Sequence, residues 1–411
     1  METPPPLPTQ PVASQTDPCS SSFARAATFS LVAPLISIFI GIFIQPQARG
    51  IRLAMVILGI VQMSCIVTGL VLGILSWRAT RRIGRAGVYG KAITGTCLNG
   101  LLVLLMLISF PGLYRAMSRA KQEQARRNLS LTQARQGFDT RLTRKQSMDE
   151  PVPVPPPSLF RHIKYSSPKG ELSAYVSPSP ADGKKHPAIL WLFGGFGNSI
   201  GETAWMPASP KNDQSASAFR RAGIVMMYPS LRGGNDNPGS LEGFYGEVDD
   251  VLAAADYLAR QDYVDPDHIY LGGHSTGGTL ALLVAESTAR FQAVFSFGPV
   301  RNVAGYGAEN LPFDLHNPKE VELRAPILWL HSIHKPTFVF EGTLEPNNLN
   351  ELLVMERVNH NPMLRFYAVP RATHFSILAP LSDLIARKIL ADSGNAAITF
   401  SQEELRECFE H

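Results

Sequence analysis

The sequence predicts an α/β domain with a doubly wound, mostly parallel sheet, preceded by an all-α region of transmembrane character. Three observations predict it. Between about residues 158 and 392, β-rich runs alternate with helical segments. Three long apolar runs crowd into residues 28–113. A stiff run, Pro151-Val152-Pro153-Val154-Pro155-Pro156-Pro157, separates the two regions.

Residues 1–27 are rich in Pro, Ser, Thr and Gln. They hold too little apolar surface to offset the entropy of ordering, and a disordered tail is expected. The order of a secretory signal, a positive end followed by an apolar segment, is absent here.

The apolar runs extend roughly from Thr28 to Ile44, Leu53 to Leu75 and Ala92 to Phe110. Each approaches the ~20 residues that cross a hydrocarbon core of ~30 Å as a helix. Inside lipid every backbone N–H and C=O must bond within its own segment, so helices are the expected form. The first run is short and contains Pro34, which leaves two or three spans. Between the second and third runs lie Arg78, Arg81, Arg82, Arg85 and Lys91 with no acid among them. The positive-inside rule puts this loop in the cytoplasm and everything after the third run outside it. Arg115, Arg119, Lys121, Arg126 and Arg127 argue the other way. Leu70-Val71-Leu72-Gly73-Ile74-Leu75, the basic Arg81-Arg82-Ile83-Gly84-Arg85 and the apolar helix that follows resemble a small helical membrane domain of unknown function. That resemblance implies anchoring in a lipid bilayer and no chemistry.

Residues 114–157 read as a basic helical stalk ending in the extended proline-rich linker. The net charge of +4 is mild for 411 residues, and the basic residues gather around the apolar runs. No nucleic-acid partner is implied. Cys19, Cys65, Cys97 and Cys408 have neither metal-ligand spacing nor the pattern of a disulfide framework, so no metal site is expected.

In residues 158–392, strands are expected at Ala188–Phe193, Ile224–Tyr228, Ile269–Leu271, Ala293–Phe297, Thr337–Phe340 and Leu364–Ala368. Helices are expected at Glu247–Arg260 and Thr279–Ala289. Strands alternating with helices form a mostly parallel sheet covered on both faces. About 230 residues suffice to bury a large core. Residues 393–411 read as a tail with one short helix, opened by the capping box Ser401-Gln402-Glu403-Glu404.

The chemistry is carried by Ile269-Tyr270-Leu271-Gly272-Gly273-His274-Ser275-Thr276-Gly277-Gly278. This is G-x-S-x-G with an apolar strand before it and a helix after it. The pattern presents a serine hydroxyl on a sharp strand-to-helix turn, the nucleophile elbow of an α/β-hydrolase. The helix N-terminus favours developing negative charge, and the Thr276 N–H is placed to meet an oxyanion. The hydroxyl of Ser275 needs a base, and in this fold the chain order is Ser, acid, His. His374 follows the last expected strand by a short turn, where the base belongs; His360 precedes that strand. Between Thr337 and His374 there is no Asp, and the acids are Glu341, Glu345, Glu351 and Glu356. Glu345 stands just beyond the strand end, and it is the expected acid. Glu341 lies closer to the strand. Gly194 and Gly195, in the loop after Ile189-Leu190-Trp191-Leu192-Phe193, are expected to supply the second oxyanion donor.

Taken together, several motifs resemble the catalytic domain of the prolyl oligopeptidase family of serine peptidases. They are Phe193-Gly194-Gly195-Phe196, Leu231-Arg232-Gly233-Gly234, Glu247-Val248-Asp249-Asp250, Ala255-Asp256-Tyr257-Leu258, Asp265-Pro266-Asp267-His268-Ile269, the elbow, and Thr373-His374-Phe375. The likeness spans most of residues 185–380. It implies an eight-stranded α/β-hydrolase sheet and a triad of Ser275, Glu345 and His374. Three features depart from the family. Phe193 stands where some members use a Tyr hydroxyl, the acid is Glu where Asp is usual, and no periodic strand pattern encodes a propeller. The expected function is therefore hydrolysis of ester or peptide and amide bonds, without metal or organic cofactor, with a non-catalytic binding role as the alternative. Glu202–Gln214 and Arg301–Asn317 are the expected pocket segments.

Overall fold

The computed structural model describes residues 18–43, 52–392, 394 and 398–410. The expected disordered tail lies outside these up to residue 17; from Pro18 onward the chain is already helical. The chain divides into two compact units, Met1–Gln122 and Glu123–His411.

In the first unit, α1 (Pro18–Phe43), α2 (Arg52–Ile83) and α3 (Tyr89–Arg127) each contain a stretch long and apolar enough to cross a membrane. Large apolar side chains such as Leu35, Val71, Leu104 and Ile108 are exposed, while Ala27, Ala33, Ser30 and Asn99 are buried. That inversion suits an apolar surround, in which helices associate through small residues and interhelical hydrogen bonds. A side chain at Gly95 would strike the Ser30 backbone. Asn99 Nδ2 donates to the Ser30 carbonyl at 2.8 Å.

The second unit begins with α4 (Leu131–Arg135). There follow β1 (Arg161–Ser167), β2 (Gly170–Val176), β3 (His186–Leu192), α5 (Ala218–Arg221), β4 (Val225–Pro229), α6 (Glu247–Ala259), β5 (Val264–His274) and α7 (Thr276–Ala285). Then come β6 (Val294–Phe297), α8 (Pro318–Glu322), β7 (Thr337–Gly342), α9 (Leu349–Val358), β8 (Leu364–Val369), α10 (Leu378–Ala391) and α11 (Gln402–Glu407).

The sheet has eight strands in the order β1-β2-β4-β3-β5-β6-β7-β8. β2 pairs antiparallel with β1 and with β4. The remaining pairs are parallel. This is the α/β-hydrolase arrangement. All six strands expected from patterning are present. Strand β1 carried no such signal, because it is an edge strand with Tyr165 as its one buried residue.

Alternation along β3 shows how the sheet is covered on both faces. Ala188, Leu190 and Leu192 join the core with residues of α6, α7 and α9. Ile189 and Trp191 join the opposite core with α5, α10 and α11. All ten residues of α7 are buried, as a helix between sheet and outer helices must be.

The stalk differs from expectation. The long helix stops at Arg127, and Ser130 caps the short α4 through a capping box with Gln133. Leu131 and Ala134 are buried, and Phe138 packs against the same core. The following residues run extended, with Leu142 bridging Phe313 and the Met148 N–H donating to the Gly233 carbonyl at 2.8 Å. The proline-rich run is held too, since Tyr175 Oη donates to the Pro153 carbonyl at 2.6 Å. At the other end, Phe400 and Leu405 are buried in the core beside α10, so the C-terminal tail packs as part of this unit.

Candidate active site

β5 ends at His274, and the chain reverses at Ser275 with φ +57° and ψ −115°. A non-glycine residue there stores strain, which surrounding structure must hold. The Ser275 N–H donates to the Phe297 carbonyl of β6 at 2.7 Å, and its carbonyl accepts the Thr279 N–H at 2.9 Å. Glycine is required on either side. A side chain at Gly273 would strike the Gly277 carbonyl, and one at Gly277 would strike the carbonyls of Leu192 and Phe193. Ser275 is half-buried, and its hydroxyl does not cap α7.

His374 lies in the turn after β8, where its N–H donates to the Pro346 carbonyl at 2.8 Å. Its Nδ1 lies 2.8 Å from Glu341 Oε2. Glu341 is 1% exposed. Its Oε1 accepts the Gly342 N–H at 2.7 Å, and Oε2 also accepts the Asn348 N–H at 3.0 Å. A carboxylate so furnished orients the imidazole and favours the tautomer with a proton on Nδ1. Gly298, with φ +60°, leaves the space for this pair; a side chain there would strike the His374 ring and Glu341.

Glu345, expected as the acid, is not at the histidine. It is exposed, and its carboxylate accepts the Asn347 N–H at 3.1 Å. The reason is the path of the chain. After β7 the Thr343 N–H bonds Val369 O and the Leu344 N–H bonds Ala372 O, so the backbone follows β8 and the next residues turn to solvent. Glu341, still on the strand, is the carboxylate that faces the imidazole. Its closeness to the strand end was the available signal.

His274 is also buried, and its ring centroid lies 4.5 Å from that of His374. Its Nε2 lies 3.0 Å from the His374 carbonyl, a donor's position. Burial, together with the neighbouring His374, lowers its pKa to about 3. His274 is thus a neutral support beneath His374.

Among the described residues, no hydrogen bond occupies the N–H groups of Gly194, Gly195 or Thr276. The Thr276 hydroxyl donates to the Gly195 carbonyl at 2.5 Å, tying the glycine loop to the elbow. Gly195 adopts φ +106°, which glycine accommodates. Phe193 stacks on Tyr228 with centroids 5.0 Å apart and offers no donor.

Two sequence motifs distant along the chain meet behind this loop. Arg232 forms a bidentate pair with Asp250, Nε–Oδ2 2.8 Å and Nη2–Oδ1 2.9 Å, and its Nη1 lies 2.8 Å from Glu242. Asp250 is fully buried. The pair fixes the loop between β4 and α6, which forms one wall of a cleft beside the elbow. The cleft is lined by Phe193, Phe196, Leu241, Phe244, Thr276, Leu280 and Pro312, among others. Its volume is about 60 Å³. At ~10–15 Å³ per water on that measure, it fits one side chain or a short acyl group. A second hollow lies against residues 201–214, and Asn310 and Pro312 reach the first, so both expected pocket segments border clefts. Among the described residues no cluster of His, Cys, Asp or Glu could hold a metal ion.

The chain is 28% identical over 102 residues to a prolyl endopeptidase of Elizabethkingia miricola, covering 23% of this chain and 13% of that protein. It is 28% identical over 144 residues to a probable dipeptidyl-aminopeptidase B of Talaromyces stipitatus, covering 33% and 15%. The matched region thus spans under a fifth of either relative's length. An acylaminoacyl peptidase structure from Pyrococcus horikoshii superposes with a TM-score of 0.48 at 17% identity, over 60% of this chain and 44% of that one. Residues 210–347, which include Ser275 and Glu341, match the model of the prolyl oligopeptidase family.

Proposed function

We propose that the protein is a membrane-anchored serine hydrolase that cleaves peptide or ester bonds through an acyl-enzyme. The observation that carries this reading is the Glu341–His374 pair, set in the same sheet end as a serine on a strained, glycine-walled bend. His374 Nε2 takes the Ser275 proton as Oγ attacks the substrate carbonyl carbon. The carbonyl oxygen becomes an oxyanion, met by the Thr276 N–H and by an N–H of Gly194 or Gly195. The imidazolium, stabilised by Glu341, returns the proton to the leaving amine or alcohol as the bond to it breaks. Water then attacks the acyl-enzyme by the same route and restores Ser275. Peptide substrates follow from the kinship described above. Ester cleavage is favoured by Phe193, since an oxyanion hole without a third side-chain donor suits the more reactive carbonyl.

The apolar helices α1, α2 and α3 support anchoring in a bilayer. The basic loop Arg78–Lys91 supports a cytoplasmic position for the turn between α2 and α3, and with it an extracytoplasmic hydrolase domain. The test of the enzymatic reading is labelling of the purified full chain in detergent by a fluorophosphonate. Labelling of wild type and its loss in Ser275→Ala is the expected result. An unlabelled wild type, or equal labelling of the variant, would overturn it.

A further inference from the structure

Residues 131–148 leave the end of the apolar region and run across the very loops that wall the cleft. Leu131 N–H donates to Ser332 Oγ at 3.2 Å, and Thr132 Oγ1 to the Ser287 carbonyl at 2.8 Å. The Arg135 guanidinium donates to three carbonyls, those of Tyr245 (3.1 Å), Phe244 (3.3 Å) and Leu323 (2.9 Å), and stacks on the Tyr245 ring at 4.8 Å. Further on, Thr143 N–H donates to the Pro312 carbonyl at 2.7 Å, and Leu241 N–H to the Gln146 carbonyl at 2.9 Å. Phe244, Pro312 and Leu241 all line the cleft. Phe244 in turn stacks on Tyr306, whose ring meets Phe196 edge-on at 5.3 Å and whose hydroxyl lies 2.7 Å from Thr279 Oγ1 on the elbow helix.

The segment ends at the rim. Met148 is 45% exposed although it is a large apolar residue. Its Cε lies 3.7 Å from where a side chain at Gly197 would begin, on the glycine loop itself. Gly197 lines the cleft, and an unbranched, exposed thioether beside it is an adaptable contact surface for apolar groups.

We infer that residues 131–148 are part of the substrate site. Arg135 positions the Phe244 wall, and Met148 limits the bulk of the apolar acyl or side-chain group that the cleft admits beside Ser275. This rests on the hydrolase reading above. The segment takes no part in bond making; it sets which substrates reach the serine, and it makes the chain just after the apolar helices inseparable from selectivity. A guanidinium serves at position 135 because one planar fork reaches carbonyls on two loops at once, which an ammonium cannot reproduce.

The test uses the full chain in detergent micelles with p-nitrophenyl esters of acetate, butyrate, octanoate and laurate, alongside fluorophosphonate labelling. Met148→Ala should raise the ratio of kcat/KM for octanoate over acetate about tenfold, and Met148→Trp should lower it about tenfold. Leu353→Ala, on the surface of α9, should keep the wild-type ratio. Arg135→Gln should raise KM for octanoate about tenfold with little change in kcat, and Arg135→Lys should recover only part of it. Wild-type labelling together with an unchanged chain-length profile in both Met148 variants would overturn this inference and leave the hydrolase reading standing. A wild type that neither labels nor turns over any ester would overturn the hydrolase reading, and the selectivity role with it.

Discussion

Nδ1 of His374 lies 2.8 Å from Oε2 of Glu341, and the same Oε2 accepts the backbone N–H of Asn348. The carboxylate is therefore fixed by the chain that follows it before it acts on the ring. Glu341→Gln should preserve the fold and lower kcat by ~10³–10⁴-fold, because an amide can present its N–H₂ to Nδ1 and select the wrong tautomer. Glu345→Gln should stay within about twofold of wild type. Steady-state kinetics on any turned-over ester checks both, and the opposite ranking would move the acid back to Glu345.

Gly298→Ala tests the space around this pair. Its φ of +60° is strained for alanine, and the new methyl would press on the His374 ring. We expect kcat/KM to fall at least 100-fold. Gly305→Ala, where a side chain meets nothing within 4 Å, is the control and should change little. Equal effects would mean that the His374 position is not set by this contact.

His274 makes stability depend on acidity. Its folded pKa of about 3 lies below the value of ~6.5 for an unfolded histidine. Between these values the unfolded chain binds a proton that the folded chain refuses, so stability falls as pH falls through the window. From pH 7 to pH 5 the loss from this group is about 2 kcal/mol. Thermal melts in detergent at both pH values should show it. His274→Gln should have a smaller drop between pH 7 and pH 5 than wild type; an identical drop would exclude His274 as its source.

Asp250→Asn removes the bidentate partner of a buried guanidinium and leaves Arg232 with Glu242 alone. The expected cost is ~3–5 kcal/mol, read as a large fall in melting temperature. A melting temperature within a degree or two of wild type would show that the existing Glu242 contact is enough to hold Arg232.

Much of this molecule is legible in residue order. Gly273, Ser275 and Gly277 announce a bend because only glycine tolerates the backbone on either side, and the apolar strand before them tells which way the hydroxyl emerges. His374 could be named as the candidate base from chain order alone. The carboxylate beside it could not. Its choice between Glu341 and Glu345 depends on where β7 lets go of β8, and pairing across a sheet leaves no mark in a local run of residues. Strand β1 was hidden for a related reason: an exposed edge strand has no buried alternation to read. The stretch after Arg127 looked like a polar stalk, because apolar residues such as Leu131, Ala134 and Phe138 are spaced among polar ones and reveal their core only when folded.

The sequence by itself determined the fold class, the apolar helices, the glycine-bounded bend at Ser275 and the candidacy of His374, since each follows from local periodicity, backbone sterics or chain order. Only the tertiary structure decided which carboxylate faces His374, the joining of Arg232 to Asp250 and the course of residues 131–148 over the cleft. Those depend on contacts between segments far apart in the chain, whose free energy is gained only when the sheet has brought them together.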